Sequence, residues 1–520
     1  MKVLKNRSIW EYILLAFLVL QVCLIAYTNF TRMESNIDCD SAKLFVHAIE
    51  MWRNGTPIIP GWSNLTTLEL DCSTLLAVPF YGLTKDIYFS YAIANIAFLI
   101  ILISVIFYLF DRENTLLYPL LSAILVSIPY RMGMLEYFNM LYFNGSQYII
   151  KVTIPILFLA LLLHADAIKE NKKNKIKFIV FSVIGGILLF VSTLSSGVYV
   201  FLCGVLPVIA GSVLWRIFKN HKITWAYIST VVATVIVFGG GYICNHLFHV
   251  AEKSSSMQFV VYGDLIDNIM RCLVGVFEVF GGVAYYEINV LSFEGLGILA
   301  RIFFVIALLV CIFTVKIKEA KEIQVGLLLI FIWNTFILCV CNTIYGFVTF
   351  EYRYHLIGMI PVLCLSSKVF LDWLKELRPN LQKAIGVLGI LFITVLMITS
   401  YKTILTKEDP NVECREVCNY AEEQGIDYVY FLYESQAPEI CRLIDHENAL
   451  YFQLMNEGNI YVFNFYEQYD QHPMIAENFI VICDNDIHDF GDNMEIFGYK
   501  FGRSRIIGTK SVYEVTGFVE

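Results

Sequence analysis

Of the 520 residues, 58% are hydrophobic and 16% charged, with a mean hydropathy of +0.64, against about 45–50% and about 25% in ordinary soluble domains. A single water-soluble core cannot absorb that excess, and the 15% aromatic content fits lipid-facing surfaces and interfacial belts. The net charge of −9 is unevenly spread: residues 404–520 carry 22 acidic and 7 basic side chains and the remainder 24 and 30, so neither part has the basic excess that holds nucleic acid.

A hydrocarbon core about 30 Å thick is crossed by a helix of roughly 20 apolar residues. Eleven stretches approach this: 9–29, 87–110, 115–130, 148–164, 178–194, 197–218, 224–244, 296–315, 325–345, 354–373 and 384–401. The third and fifth are short. The first resembles a signal peptide, but no A-x-A-like site follows it, so it reads as a retained helix. The fold class is therefore a polytopic α-helical membrane protein of about eleven transmembrane helices (1–403), with outer loops 30–86 and 245–295, followed by a soluble α/β domain (404–520).

The alternation of basic residues supports this count. Lys2, Lys5 and Arg7 place the N-terminus in the cytoplasm. The clusters Lys169 to Lys177, Arg216 to Lys222, Lys316 to Lys321 and Lys375 to Lys383 then fall on the same side. Eleven crossings leave the acidic C-terminal domain outside, in a plasma-membrane protein with an extracytoplasmic working face. Within that domain the pattern predicts a helix over 411–424 and strands over 428–433, 459–465 and 478–483. No phosphate-binding glycine fingerprint or metal-spaced Cys/His set occurs there, which favours an accessory role. The fourteen cysteines are scattered. Cys39 and Cys72 in the first outer loop, and Cys414, Cys418 and Cys441 in the tail, are as compatible with free thiols as with bridges.

The first outer loop carries the densest chemistry. Asp38 and Asp40 follow the first helix closely, which puts two carboxylates near the outer surface, suited to a general base or to a divalent cation such as Mg or Mn. Residues 41–53 form an amphipathic helix, with Leu44, Phe45, Ala48, Ile49 and Trp52 at i, i+3, i+4 spacing, as for a helix lying on the interface. The plain alternative makes Asp40 the N-cap of that helix and Asp38 a solvated loop residue. Further on, 73–83 is apolar but too short to span, and 269–286 reads as a non-spanning helix. His246 and His249 lack a third metal ligand nearby in sequence.

This layout resembles the GT-C class of integral-membrane glycosyltransferases, particularly the protein-mannosyltransferase-like branch. The likeness rests on the acidic opening of the first loop, an interfacial helix closed by Asn54-Gly55-Thr56-Pro57, and Arg353-Tyr354 followed by Pro361. The usual first-loop Asp-Glu doublet is replaced by Asp38-Cys39-Asp40, and a Trp-Trp-Asp motif is absent. The resemblance implies an inverting transfer of sugar from a polyprenyl-phosphate carrier in the bilayer to a glycan, lipid or protein acceptor, with Asp40 or Asp38 as base. It further implies a cation for the leaving phosphate, for which an arginine fork is suited. Arg353 with Tyr354 is the first candidate, and Arg271 and Arg301 stand behind it. Arg353 also reads as a helix-end arginine reaching the interface, as does Lys151 as a lysine just inside its span. Glu69, Asp71 and Glu136 are further candidate substrate contacts, with solvated loop carboxylates as the alternative. A transporter or flippase would show mid-membrane charge and internal repeats, and neither is evident. A non-catalytic protein of surface polysaccharide assembly would keep the topology without needing the first-loop acids.

Overall fold

A computed structural model describes residues 8–62, 67–113, 115–131, 136–169, 171–248, 258–342, 352–434, 436–445, 448–454 and 478–519. The chain begins with α1 (Ile9–Arg32), α2 (Cys39–Asn54), α3 (Thr74–Thr84), α4 (Ile87–Leu109), α5 (Leu117–Ser127), α6 (Tyr137–Tyr142), α7 (Ile149–His164) and α8 (Lys172–Ser196). It continues with α9 (Leu206–Phe218), α10 (Trp225–Phe248), α11 (Leu265–Glu278), α12 (Phe293–Phe313), α13 (Glu322–Val340), α14 (Leu356–Glu376) and α15 (Pro379–Thr406). Among the described residues ten helices are long and apolar enough to cross a membrane.

The eleventh expected span, 115–130, is a correction in kind. Its helix, α5, has 11 residues, a rise of about 16 Å, half a hydrocarbon core. Glu11 Oε1 accepts from Leu116 N at the start of α5, and at the far end Tyr130 and Arg131 lie against Gly281, so the chain does pass from one end of the bundle to the other. It completes the passage as non-helical backbone through Ile128, Pro129 and Tyr130, all buried, with a tight turn in which Tyr130 N donates to Ile128 O at 2.9 Å. Non-helical chain at this depth is tolerated where protein, not lipid, surrounds it. The fifth span, short in sequence, is a 25-residue helix because α8 begins within the lysine cluster.

At one end of the bundle the loops are tied by ion pairs: Lys177 to Asp111 at 2.6 Å, Lys321 and Lys368 to Glu113 at 3.1 and 3.2 Å, and Arg216 to Glu322 at 2.8 Å. The opposite end carries α2, α3, α6, α11 and the C-terminal domain. That domain contains α16 (Val412–Gln424), β1 (Tyr428–Leu432), α17 (Ala437–Ile444), β2 (Leu450–Leu454), β3 (Phe479–Asp484), β4 (Asn493–Ile496), β5 (Tyr499–Ile507) and β6 (Lys510–Phe518). Its six strands run in the order β2-β1-β3-β6-β5-β4, with β2, β1 and β3 parallel and the others antiparallel. One sheet face, with Val429, Phe431, Ile480 and Ile482, packs with the residues of α16 and α17 into the main core, while Tyr430, Leu432, Phe452 and Val481 form a second core on the other face. The strand expected over 459–465 lies outside the described residues.

The domain is anchored to the bundle end. Asn411 Nδ2 donates to Ile37 O at 2.9 Å, Arg32 Nη2 to Leu405 O at 2.6 Å, and α17 packs on α2. The fourteen cysteines are free thiols.

Candidate active site

The first outer helix starts two residues earlier than its sequence suggests. Asp38, in extended conformation at φ −102° and ψ 169°, is the N-cap of α2, and its Oδ1 accepts from Ser41 N at 2.8 Å. This satisfies an amide that the first turn leaves without an intrahelical partner. The expectation that Asp40 caps and Asp38 is solvated is therefore corrected: Asp40 sits inside the first turn, where the helix dipole favours a carboxylate. The apolar stripe of α2 is also spent differently from the expected interfacial helix. Leu44, Phe45, Ala48 and Ile49 are buried, Phe45 stacks on Tyr91 at 3.8 Å, and the Tyr91 hydroxyl donates to Leu44 O at 2.7 Å. The stripe covers the bundle end, and only Trp52 is left outward.

The second oxygen of Asp38 accepts from Asn139 Nδ2 at 3.1 Å. Asn139 lies on α6, one turn beyond the N-cap residue Glu136, and residues three apart share a helix face. Glu136 is ion-paired with Arg131. The Arg131 guanidinium lies 4.3 Å from the Tyr285 ring centre and donates to its hydroxyl at 2.8 Å, and that hydroxyl donates to Glu278 Oε1 at 3.0 Å. Glu136, Glu278, Tyr352, Arg353 and Leu356 line a cavity of about 10 Å³, room for about one water. Arg353 stands on the 3₁₀ turn Tyr352–His355 that opens α14, with its guanidinium 5.5 Å from the Tyr354 ring. Neither Asp38 nor Asp40 lines this cavity. Asp38 is linked to it only indirectly, through its hydrogen bond to Asn139 on the helix that Glu136 caps.

Burial sets the proton affinities here. It pushes the Asp38 carboxyl up to about 6, with Asp40 adding and the Ser41 and Asn139 hydrogen bonds opposing. It pushes Glu136 up to about 7 even though Arg131 pulls the other way. Glu278 is raised by the same cause. Two carboxyls, at the N-termini of two helices that the Asp38–Asn139 hydrogen bond links, thus have raised proton affinities, a condition that general acid–base chemistry needs.

The other sequence candidates separate from this group. Asp40 faces α17, where its charge acts on buried Glu439. Glu69, in the left-handed region at φ 54°, pairs with Lys43 at 2.8 Å. Asp71 is 1% exposed and fully engaged: Lys151 Nζ at 3.1 Å and the Ser192, Ser195 and Ser196 hydroxyls at 2.8–2.9 Å all donate to it. Lys151 accordingly does not reach for the interface, because its charge is used inside the protein. Arg271 is exposed on α11, and Tyr354 meets Tyr148 and Tyr199 edge-on at 6.4 and 5.8 Å. Glu278 belongs to the apolar, non-spanning 269–286 segment that the sequence marks out, whereas Arg131, Asn139 and Tyr285 are not singled out by sequence reasoning. Of those three only Arg131 gave a usable signal, as a charge directly after an apolar span.

Among the described residues no three His, Cys, Asp or Glu side chains gather as metal ligands. Asp38 Oδ1 accepts from Ser41 N and Oδ2 from Asn139 Nδ2.

No protein-family model and no curated protein sequence matches the chain, but solved structures do. ArnT from Cupriavidus metallidurans in the apo state aligns with a TM-score of 0.57 and 10% identity over 96% of this chain and 97% of that one. The same protein bound to undecaprenyl phosphate gives 0.55 and 11% over 96% and 98%. The Archaeoglobus fulgidus oligosaccharyltransferase, crystallised with Zn and sulfate, gives 0.51 and 12% over 91% of this chain and 68% of that one. At these identities the likeness is one of fold.

Proposed function

We propose that this chain is a membrane glycosyltransferase that takes a sugar from a polyprenyl-phosphate carrier and transfers it, with inversion, to an acceptor hydroxyl at the extracytoplasmic face. The observation that carries the reading is the cavity that Glu136 and Arg353 line together, at the start of the helix whose Asn139 hydrogen-bonds the buried Asp38 of the first outer helix. The ArnT structure with undecaprenyl phosphate supports the carrier class.

In the proposed reaction the acceptor oxygen attacks the anomeric carbon and its proton passes to a carboxylate, for which Asp38 is the first choice. The bond between that carbon and the carrier phosphate breaks, and its electron pair leaves with the phosphate. Arg353 supplies charge and a planar fork for the departing oxygens. No step is assigned to a metal.

The test is binding of a polyprenyl phosphate to the detergent-solubilised full chain, with thermal unfolding as a control. Arg353→Lys keeps the charge and loses the fork, so affinity should fall severalfold, and Arg353→Ala should lower it further. Equal affinity in all three proteins, with intact folding, withdraws Arg353 from the carrier site.

A further inference from the structure

The loop between α9 and α10 and the loop between α12 and α13 meet at the end of the bundle that the ion pairs tie. Trp215 Nε1 donates to Ala320 O at 2.8 Å and Lys219 Nζ donates to Lys318 O, so the two loops form one surface. The carboxylates beneath that surface are spent within the protein. Buried Arg216 takes Glu322 at 2.8 Å and Asp166 at 2.9 Å, and Glu113 is shared by Lys321 and Lys368. What remains facing outward is basic: Lys219, Lys222, Lys316 and Lys318 are all exposed. The two loops contain a single acid, Glu319, which meets Lys316 at 3.8 Å. Lys222 and Lys318 have no carboxylate partner among the described residues.

The same surface keeps large apolar side chains in the open. Phe218, Trp225, Phe313 and Ile317 are 68–84% exposed. They are interleaved with the charges, for Phe218 and Ile317 adjoin a lysine in sequence, and Trp225 and Phe313 stand three residues from one. Phe218 closes α9, Trp225 opens α10 and Phe313 closes α12, which sets them at the ends of membrane-crossing helices, the level of lipid headgroups. There a lysine lays its methylenes along apolar surface and its ammonium reaches a phosphate. A basic loop that only fixes topology needs the lysines alone. Unopposed ammoniums alternating with apolar anchors complement a lipid that has acyl chains below and net negative charge above, whereas a zwitterionic headgroup brings its own cation and cancels the attraction.

We propose that these two loops form a single docking surface for an anionic phospholipid, with the lysines on its phosphodiester headgroup and the apolar side chains against the upper part of its acyl chains. The surface lies at the opposite end of the bundle from the candidate active site, so the proposal stands independently of the transferase reading.

The test is lipid binding by the detergent-solubilised full chain. Phosphatidylglycerol and phosphatidylcholine with the same acyl chains are titrated separately, bound lipid is read by native mass spectrometry, and thermal unfolding is the fold control. A lysine beside an anionic surface is worth roughly fivefold in affinity, so wild type should hold phosphatidylglycerol about tenfold more tightly than phosphatidylcholine. Lys222→Gln combined with Lys318→Gln should abolish that preference while leaving the melting temperature and the phosphatidylcholine affinity unchanged. Lys222→Arg combined with Lys318→Arg should keep it, because the charge remains. Lys172→Gln combined with Lys173→Gln removes two exposed lysines at the start of α8, at the same end of the bundle, and should also keep it. Equal affinity of wild type for the two lipids overturns the proposal, as does a preference that survives in the folded Lys222→Gln, Lys318→Gln protein. An equal loss in the Lys172→Gln, Lys173→Gln protein overturns it as well, since the effect would then belong to the overall charge of this end and not to the surface.

Discussion

Asn139 donates to Asp38 across 3.1 Å and thereby joins the N-terminus of the first outer helix to the short helix that Glu136 caps. The contact spans 101 residues of sequence. It fixes a carboxylate that is also a helix cap, so chemistry and folding draw on the same side chain, and a substitution has to be chosen that separates them.

Asp38→Asn does so. Asn caps about as well as Asp, so the melting temperature should change little, whereas an amide cannot take the acceptor proton, and sugar transfer should fall by about 10²-fold or more. Asp40→Asn, facing α17, should cost less. Transfer assays on the two purified variants decide between them, and near-normal transfer by a folded Asp38→Asn protein would exclude it as the base.

Glu136 gives a pH prediction with a definite sign. Its folded value, about 7, lies above its ordinary 4.5 because burial disfavours the charge. The group therefore opposes folding once the unfolded carboxylate ionises. Wild-type stability should drop, relative to Glu136→Gln, as pH rises from about 4.5 to about 7, and the difference should then stay constant. Melting temperatures of both proteins across that range test it, and parallel curves would refute the raised value. If Asp38 is the base, transfer should also rise with pH through about 6, the region in which its carboxyl ionises.

Hydropathy made the helical bundle legible, because lipid imposes length and apolarity on each long helix independently of its neighbours. It was less informative where protein replaces lipid. The non-helical stretch after α5 and the covering of α2 both depend on tertiary burial. The site was half legible for the same reason. Asp38, Glu136 and Arg353 stand out as charges beside apolar spans, but Asn139 is an unremarkable amide in a tyrosine-rich loop, and its partner lies far away in sequence. The cap was misassigned by two residues because Asp38 and Asp40 both precede the same periodic run, and only backbone angles distinguish them.

Asp71 should behave as a structural ion. Its charge is buried and met by Lys151 and three serines, and removing one member of a buried pair typically costs about 3–5 kcal/mol. Lys151→Met, which strands the carboxylate, should therefore lower the melting temperature markedly, and the double variant Lys151→Met with Asp71→Leu should recover part of the loss. Thermal unfolding in detergent measures both. A large fall in carrier affinity with an unchanged melting temperature would instead return Asp71 to the substrate contacts.

The orientation of the chain is the remaining prediction, and it concerns which end of the bundle meets the cytoplasm. The loops at one end are rich in lysine and arginine and are tied by ion pairs such as Lys177 with Asp111 and Lys321 with Glu113. The candidate site and the acidic C-terminal domain lie at the other. Because basic loops are retained on the cytoplasmic side, Lys173 should be cytoplasmic and Asn493 extracytoplasmic. Both are exposed, so cysteines placed there can react. Among the native cysteines only Cys23 is exposed, and it lies within α1, so the wild-type chain supplies the background. A membrane-impermeant maleimide added to intact cells should label Asn493→Cys and spare Lys173→Cys until the membrane is opened. The reverse pattern would place the carboxylates, Arg353 and the tail in the cytoplasm, and an extracytoplasmic transfer reaction would have to be abandoned.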